Sequence, residues 1–147
     1  MSKRWRRFWN EHNLSIVTAG ILGTWILAYA LADQNRHWGA FFGNAIADWS
    51  GVVLMVLGTK YLMERGSRES KRQYDRKDSG IRKALKEHSF SIFVVITLGG
   101  WILLFNHLDP NAKWGQVVGN LVSEWTQALG LIFLTKRLRE RGSEESK

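Results

Sequence analysis

The chain has 147 residues, one proline and no cysteine, which excludes disulfides, thiolate metal sites and thiol redox chemistry. A net charge of +8 would fit a nucleic-acid binder, but the basic residues are placed in a way that argues for no nucleic-acid partner. A mean hydropathy of -0.21 resembles that of a soluble domain only because it averages apolar runs with highly charged ones.

Residues 1–12 form a basic and aromatic segment. Trp5, Phe8 and Trp9 fall at i, i+3, i+4 with Arg4, Arg6 and Arg7 between them. On a helix this sets an aromatic stripe beside a basic face, suited to an anionic leaflet or simply to anchoring the span that follows. Residues 14–32 then run nineteen residues without a charge. The basic start and the small residues before Asp33 resemble a cleavable signal peptide. The run is longer than a signal core, however, and an equivalent helix recurs mid-chain, so the segment is read as a helix of the mature fold.

The first transmembrane hairpin is expected over 13–63, with helices at 13–32 and 40–63 and a short turn at 33–38. Asp33-Gln34-Asn35 are turn formers, Trp38 falls where an interfacial aromatic belongs, and Lys60 anchors the far end. A charged linker, 64–87, follows. With Gly66, Ser67, Ser79 and Gly80 as breaks, it is expected to be a solvated helix or a flexible arm. The second hairpin, 88–139, has helices expected at 89–108 and 116–139, a turn opened by Asp109-Pro110-Asn111, Trp114 at the interface and Lys136 as the matching anchor. Residues 140–147 are a tail. His12 and His88 start the odd-numbered spans beside Glu11 and Glu87, where polar interfacial residues are ordinary.

From Glu11 the chain repeats with an offset of 76 and no gaps, with 26 of 61 positions identical by direct count. Shared runs include Trp-Gly-x-x-x-Gly-Asn in the second helix of each copy and Glu-Arg-Gly-Ser-x-Glu-Ser-Lys at the end. The pattern is a duplicated helical hairpin. Each copy holds two spans, so both enter the membrane in the same direction and a pseudo-twofold along the membrane normal is expected. The fold class is therefore all-α: an integral membrane four-helix bundle built from two hairpin repeats of parallel topology. Of 21 Lys and Arg, four lie in residues 1–7, ten in 60–86 and five in 136–147, with only Arg36 and Lys113 in the opposite turns. By the positive-inside rule, this predicts a multi-pass membrane protein with both termini and the central linker on the cytoplasmic side.

Gly39 and Gly43, and Gly115 and Gly119, form recurring Gly-x-x-x-Gly grooves for close helix packing, within the bundle or between protomers, and Gly23, Gly99 and Gly100 read the same way. Asn44 and Asp48 lie one helical turn apart, as do Asn120 and Glu124, with Gln127 extending the second set. Asp48 is roughly 12 to 13 Å below the outer edge of its span. An ionised acid at such depth costs about 2.5 to 3.5 kcal/mol on insertion scales, so it must face the bundle or water. These five residues are the candidates for an ion or proton pathway; the alternative is a set of hydrogen bonds that hold helices together. Trp25, Trp49, Trp101 and Trp125 read as core, each ring nitrogen seeking an acceptor such as a carboxylate. There is no nucleophile motif, phosphate loop or zinc motif, so neither an enzyme nor a cofactor is expected.

Leu14-Ser15-Ile16-Val17, the tryptophans at 49 and 125, and the ending from Leu134-Thr135-Lys136 through Arg141-Gly142-Ser143 to Glu145-Ser146-Lys147 resemble a family of uncharacterised small bacterial integral membrane proteins. Asp48 and Glu124 stand where that family commonly has Asn. A weaker likeness, to the hairpins of low-affinity iron permeases, rests on a Trp followed closely by Asn and points toward ions. The expected function is an ion or proton channel or transporter with paired intramembrane carboxylates. The alternative is a non-conducting structural or accessory subunit. Expected partners are the lipid bilayer, a second copy or a larger membrane complex, and a cation or proton.

Overall fold

A computed structural model describes residues 3–65 and 79–138, which form five helices and no strand. They are α1 (Lys3–Leu31), α2 (His37–Tyr61), α3 (Gly80–Glu87), α4 (Ser89–His107) and α5 (Lys113–Leu134). Four of them, α1, α2, α4 and α5, are long and apolar enough to cross a membrane. No proline interrupts Lys3–Leu31, and the aromatic segment therefore continues without a break into the first apolar run. α2 starts three residues before the expected 40 and stops at Tyr61, because Leu62 turns extended while its N–H still bonds to Gly58. Likewise α5 begins at Lys113 and ends at Leu134, ahead of the expected 139, which lies outside the described residues together with the tail.

The two turns are built alike from positions 76 apart. Asp33 Oδ1 accepts the Asn35 N–H at 3.0 Å, and Asp109 Oδ1 accepts that of Asn111 at 2.9 Å. These Asx turns reverse the chain within a few residues. Each reversal brings the start of the next helix against the turn. A Cβ at Gly39 would run into the Asp33 carbonyl and one at Gly115 into that of Asp109, so both glycines are needed for close approach.

Contacts run from α1 to α2, from α2 to α5 and from α5 to α4, so the hairpins meet through their second helices. The core lies along that line: Tyr29, Ile46, Ala47 and Leu54 from the first hairpin, Phe90, Val94, Leu121, Trp125 and Ile132 from the second. Gly43 faces the Tyr29 ring and Gly119 the Phe105 ring, the two rings again being 76 apart. Within the described residues, the small-residue grooves thus receive the aromatic of their own hairpin. Nothing lies within 4 Å of the Cβ that Gly23, Gly99 and Gly100 would each carry, so among the described residues of the single chain they receive no close neighbour.

Tyr29 joins the hairpins at the turn end. Its hydroxyl donates to the Lys113 carbonyl at 2.5 Å, and Trp114 packs edge-on against its ring at 5.3 Å. Lys113 reaches back to donate to the carbonyls of Ala30 and Ala32, at 3.1 and 2.7 Å, which satisfies the C-terminal end of α1.

Candidate functional site

The polar residues singled out in the spans gather along the α2–α5 seam. Asn120 Nδ2 donates to Asn44 Oδ1 at 2.5 Å, so the two copies of that position meet directly. Beside them is a cavity of about 400 Å³ lined by Asn44, Gln116, Asn120 and Tyr29. One turn further along each helix, Asp48, Glu124 and Gln127 line a second cavity of about 510 Å³, otherwise walled by apolar side chains such as Val52, Met55 and Leu131. Glu124 leans onto α2, its Oε2 lying 3.0 Å from the Cβ that Gly51 would carry. Gln127 Nε2 donates to Glu124 Oε1 and to Ser123 Oγ, both at 3.3 Å. Asp48, Asn44 and Gln127 are exposed on the chain's surface, whereas Glu124 and Asn120 are half-buried. Chemically, the set offers carboxylate and amide oxygens on one face, with no basic side chain among the residues that line the cavity.

A second polar centre lies at the opposite end of the helices from the turns, and it was not apparent from the sequence. After α2 the chain runs extended beside the start of α4. Met63 N–H donates to Ser89 Oγ at 2.9 Å, Phe90 N–H to the Met63 carbonyl at 3.0 Å and Arg65 N–H to the Glu87 carbonyl at 2.6 Å. This strap delivers Glu64 into the protein, where its side chain is 0% exposed. A buried carboxylate demands partners. It receives the His88 Nδ1 at 2.7 Å, the Ser91 N–H at 2.9 Å, the Ser91 hydroxyl and the Lys136 ammonium. The positive end of the dipole at the start of α4 favours the anion further. Burial pushes the Glu64 carboxyl up, but the hydrogen bonds from His88, Lys136 and Ser91 together outweigh it and hold the group below its ordinary range. Close by, Arg65 pairs with the nearly buried Glu87 at 3.1 Å.

This centre corrects two expectations. The linker 64–87 is not solvated at its ends, because Glu64 and Glu87 are both buried. His88 is not an ordinary interfacial residue but a partner of a buried acid. Lys136 anchors through that acid. The available signal was the recurrence of Glu, His and Lys 76 residues apart at span ends. A third expectation is met in only one tryptophan: Trp125 Nε1 donates to Thr97 Oγ1 at 2.7 Å, a hydroxyl and not a carboxylate, while Trp25 and Trp101 have no ring-nitrogen acceptor among the described residues.

The remaining anchors lie at the helix ends. Trp38 and Trp114 are exposed beside the turns, Trp5 and Trp9 are exposed on the first turns of α1, and Lys60 reaches α1 through Glu11 and His12. Among the described residues, no three His, Asp or Glu side chains form a metal-holding group.

The fold thus defines an all-helical chain with four helices of membrane-spanning length and apolarity. No protein-family model, curated protein or solved structure matches it.

Proposed function

We propose that this is a multi-pass protein of the bacterial inner membrane, with both termini cytoplasmic, that passes a cation or a proton along the α2–α5 seam. The observation that carries the reading is that Asp48 and Glu124 line one cavity of about 510 Å³, one turn from the Asn44–Asn120 bond. Intramembrane carboxylates with amide neighbours are what a cation needs when it sheds water, because oxygen ligands must replace its hydration shell. Asp48 is exposed on the isolated chain, which supports an assembly in which a second copy or another subunit covers that face. The resemblance to small bacterial membrane proteins belongs to the same proposal.

The second reading, a non-conducting accessory subunit, is favoured by the apolar walls of that cavity and by the hydrogen bond that closes the seam above it. One double substitution separates the two. Asp48→Asn with Glu124→Gln keeps size and hydrogen bonding but removes the ionisable groups. Purified protein in liposomes is assayed for proton, monovalent and divalent cation flux. Flux in the wild type that disappears in the double variant supports the pathway. Wild-type liposomes no leakier than empty ones would leave the accessory reading standing.

A further inference from the structure

The second half of the chain provides a comparison for the first. Glu64 is held by Lys136, His88 and Ser91, and the positions 76 earlier are Lys60, His12 and Ser15. Lys60 and His12 are again together: Lys60 Nζ lies 2.9 Å from His12 Nδ1 and donates to the Glu11 carbonyl at 2.5 Å. Among the described residues, Lys60 has no carboxylate within ion-pair distance. The same basic set thus holds an oxygen anion in one half and, among the described residues, none in the other. The histidines differ accordingly. Beside a lysine ammonium, His12 Nδ1 acts as acceptor, whereas His88 Nδ1 donates to a carboxylate.

Next to this set runs an apolar groove of about 450 Å³, lined by Leu22, Leu54, Leu57, Tyr61 and Phe93 and reaching as deep as Ser50. From Ser50 to Tyr61 along α2 is about 16 Å at 1.5 Å per residue, close to half of a hydrocarbon core of about 30 Å. The groove is therefore as long as one leaflet is deep. Tyr61 links it to the basic set, since Lys60 Nζ lies 5.4 Å from the centroid of its ring. Exposed Trp5, Phe8 and Trp9 continue along α1 beyond His12, and the Phe8 ring lies 4.7 Å from that of His12.

We propose that Lys60 and His12 bind the phosphate of a phospholipid whose acyl chain fills this groove. The inference rests on the four helices spanning a bilayer, and is independent of whether the protein conducts. On binding, Lys60 turns from the Glu11 carbonyl to the phosphate and His12 becomes a donor, which reproduces the arrangement around Glu64. A phosphate alone satisfies the basic set and leaves the groove empty; a phospholipid satisfies both.

The test is native mass spectrometry of the full-length protein released from detergent with added phosphatidylglycerol. The wild type should retain one lipid. Lys60→Ala with His12→Ala should lower retention at least tenfold, as should Leu57→Trp, which fills the groove and leaves the basic pair intact. His12→Phe keeps a ring against Phe8 but removes the nitrogen; it carries the test if Lys60 proves necessary for folding, with a loss of threefold or more. Excess inorganic phosphate should not displace the lipid. Retention unchanged in all three variants overturns the proposal. So does displacement by inorganic phosphate, which makes this a free-anion site, or a tenfold rise in Glu140→Gln, which assigns the set to the chain's own counterpart of Glu64. Alkaline extraction of membranes reports separately on embedding: release of the wild type without detergent refutes the bilayer reading itself.

Discussion

Asn44 and Asn120 are the same position in two copies of one hairpin, and their side chains hydrogen-bond to each other at 2.5 Å. Two residues 76 positions apart thus meet directly on the α2–α5 seam, the contact that a pseudo-twofold relation between the hairpins would produce. A double-mutant cycle with Asn44→Ala and Asn120→Ala, read from unfolding in mixed detergent, should give a coupling of about 0.6 kcal/mol and no more than about 1.7 kcal/mol. Additive losses would mean that each asparagine finds another partner when the first is removed.

The acid at position 64 sets a stronger expectation. Glu64→Gln leaves the Lys136 ammonium beside a neutral amide in a site with 0% exposure of the acid, and breaking a buried pair typically costs about 3 to 5 kcal/mol. With Lys136 itself partly exposed, the loss should fall at the low end of that range. Lys136→Gln should cost a similar amount, and the double variant less than the sum.

That acid also makes stability depend on pH in a defined direction. Its folded pKa is below its unfolded one, so the folded protein binds fewer protons and gains stability from ionised Glu64 above the unfolded value of about 4.3. The gain shrinks as pH falls below that value and is gone once pH passes the lowered folded value. Melting curves between pH 7 and pH 3 should show a drop in this window that Glu64→Gln largely abolishes.

Glycine substitutions should separate tight contacts from open ones. A Cβ at Gly58 would collide with the Phe90 ring, which joins α2 to the start of α4, so Gly58→Ala should cost about 1 to 3 kcal/mol through overpacking. Nothing lies within 4 Å of the Cβ at Gly130, and there alanine should be neutral or stabilising by up to about 1 kcal/mol from helix propensity. Equal effects at both would show that the Phe90 contact does not constrain α2.

Tyr29→Phe tests the tie at the turn end. Phenylalanine already occupies the equivalent position, Phe105, so the ring fits and only the hydroxyl bond to the Lys113 carbonyl is lost. The expected cost is about 0.6 to 2 kcal/mol. A larger loss in thermal unfolding would mean that Lys113 also lets go of α1.

The four long helices were legible because length and apolarity alone mark them, and the turns because Asp33 and Asp109 carry their own side-chain acceptors. Asp48 and Glu124 stood out as charges in apolar runs. Glu64 did not, since it is one acid in a segment crowded with charges, and its burial depends on a strap that forms only when Met63 and Arg65 bond to residues on the far side of the linker. Helix ends were misjudged for a related reason: Leu62 looks apolar enough to extend α2, yet the chain leaves the helix there to deliver the next acid.

The strap also fixes an order of events. Glu64 precedes Lys136 by 72 residues, so during synthesis at roughly 5 to 20 residues per second the acid waits about 4 to 14 seconds for its last cation. During that wait its charge has to remain in water. A nascent first hairpin therefore cannot complete the seat of its own exit segment until α5 and Lys136 have been made. Truncation before Lys136 should accordingly strand an unpaired acid and expose the product to quality-control proteolysis, even though the spans before α5 are intact.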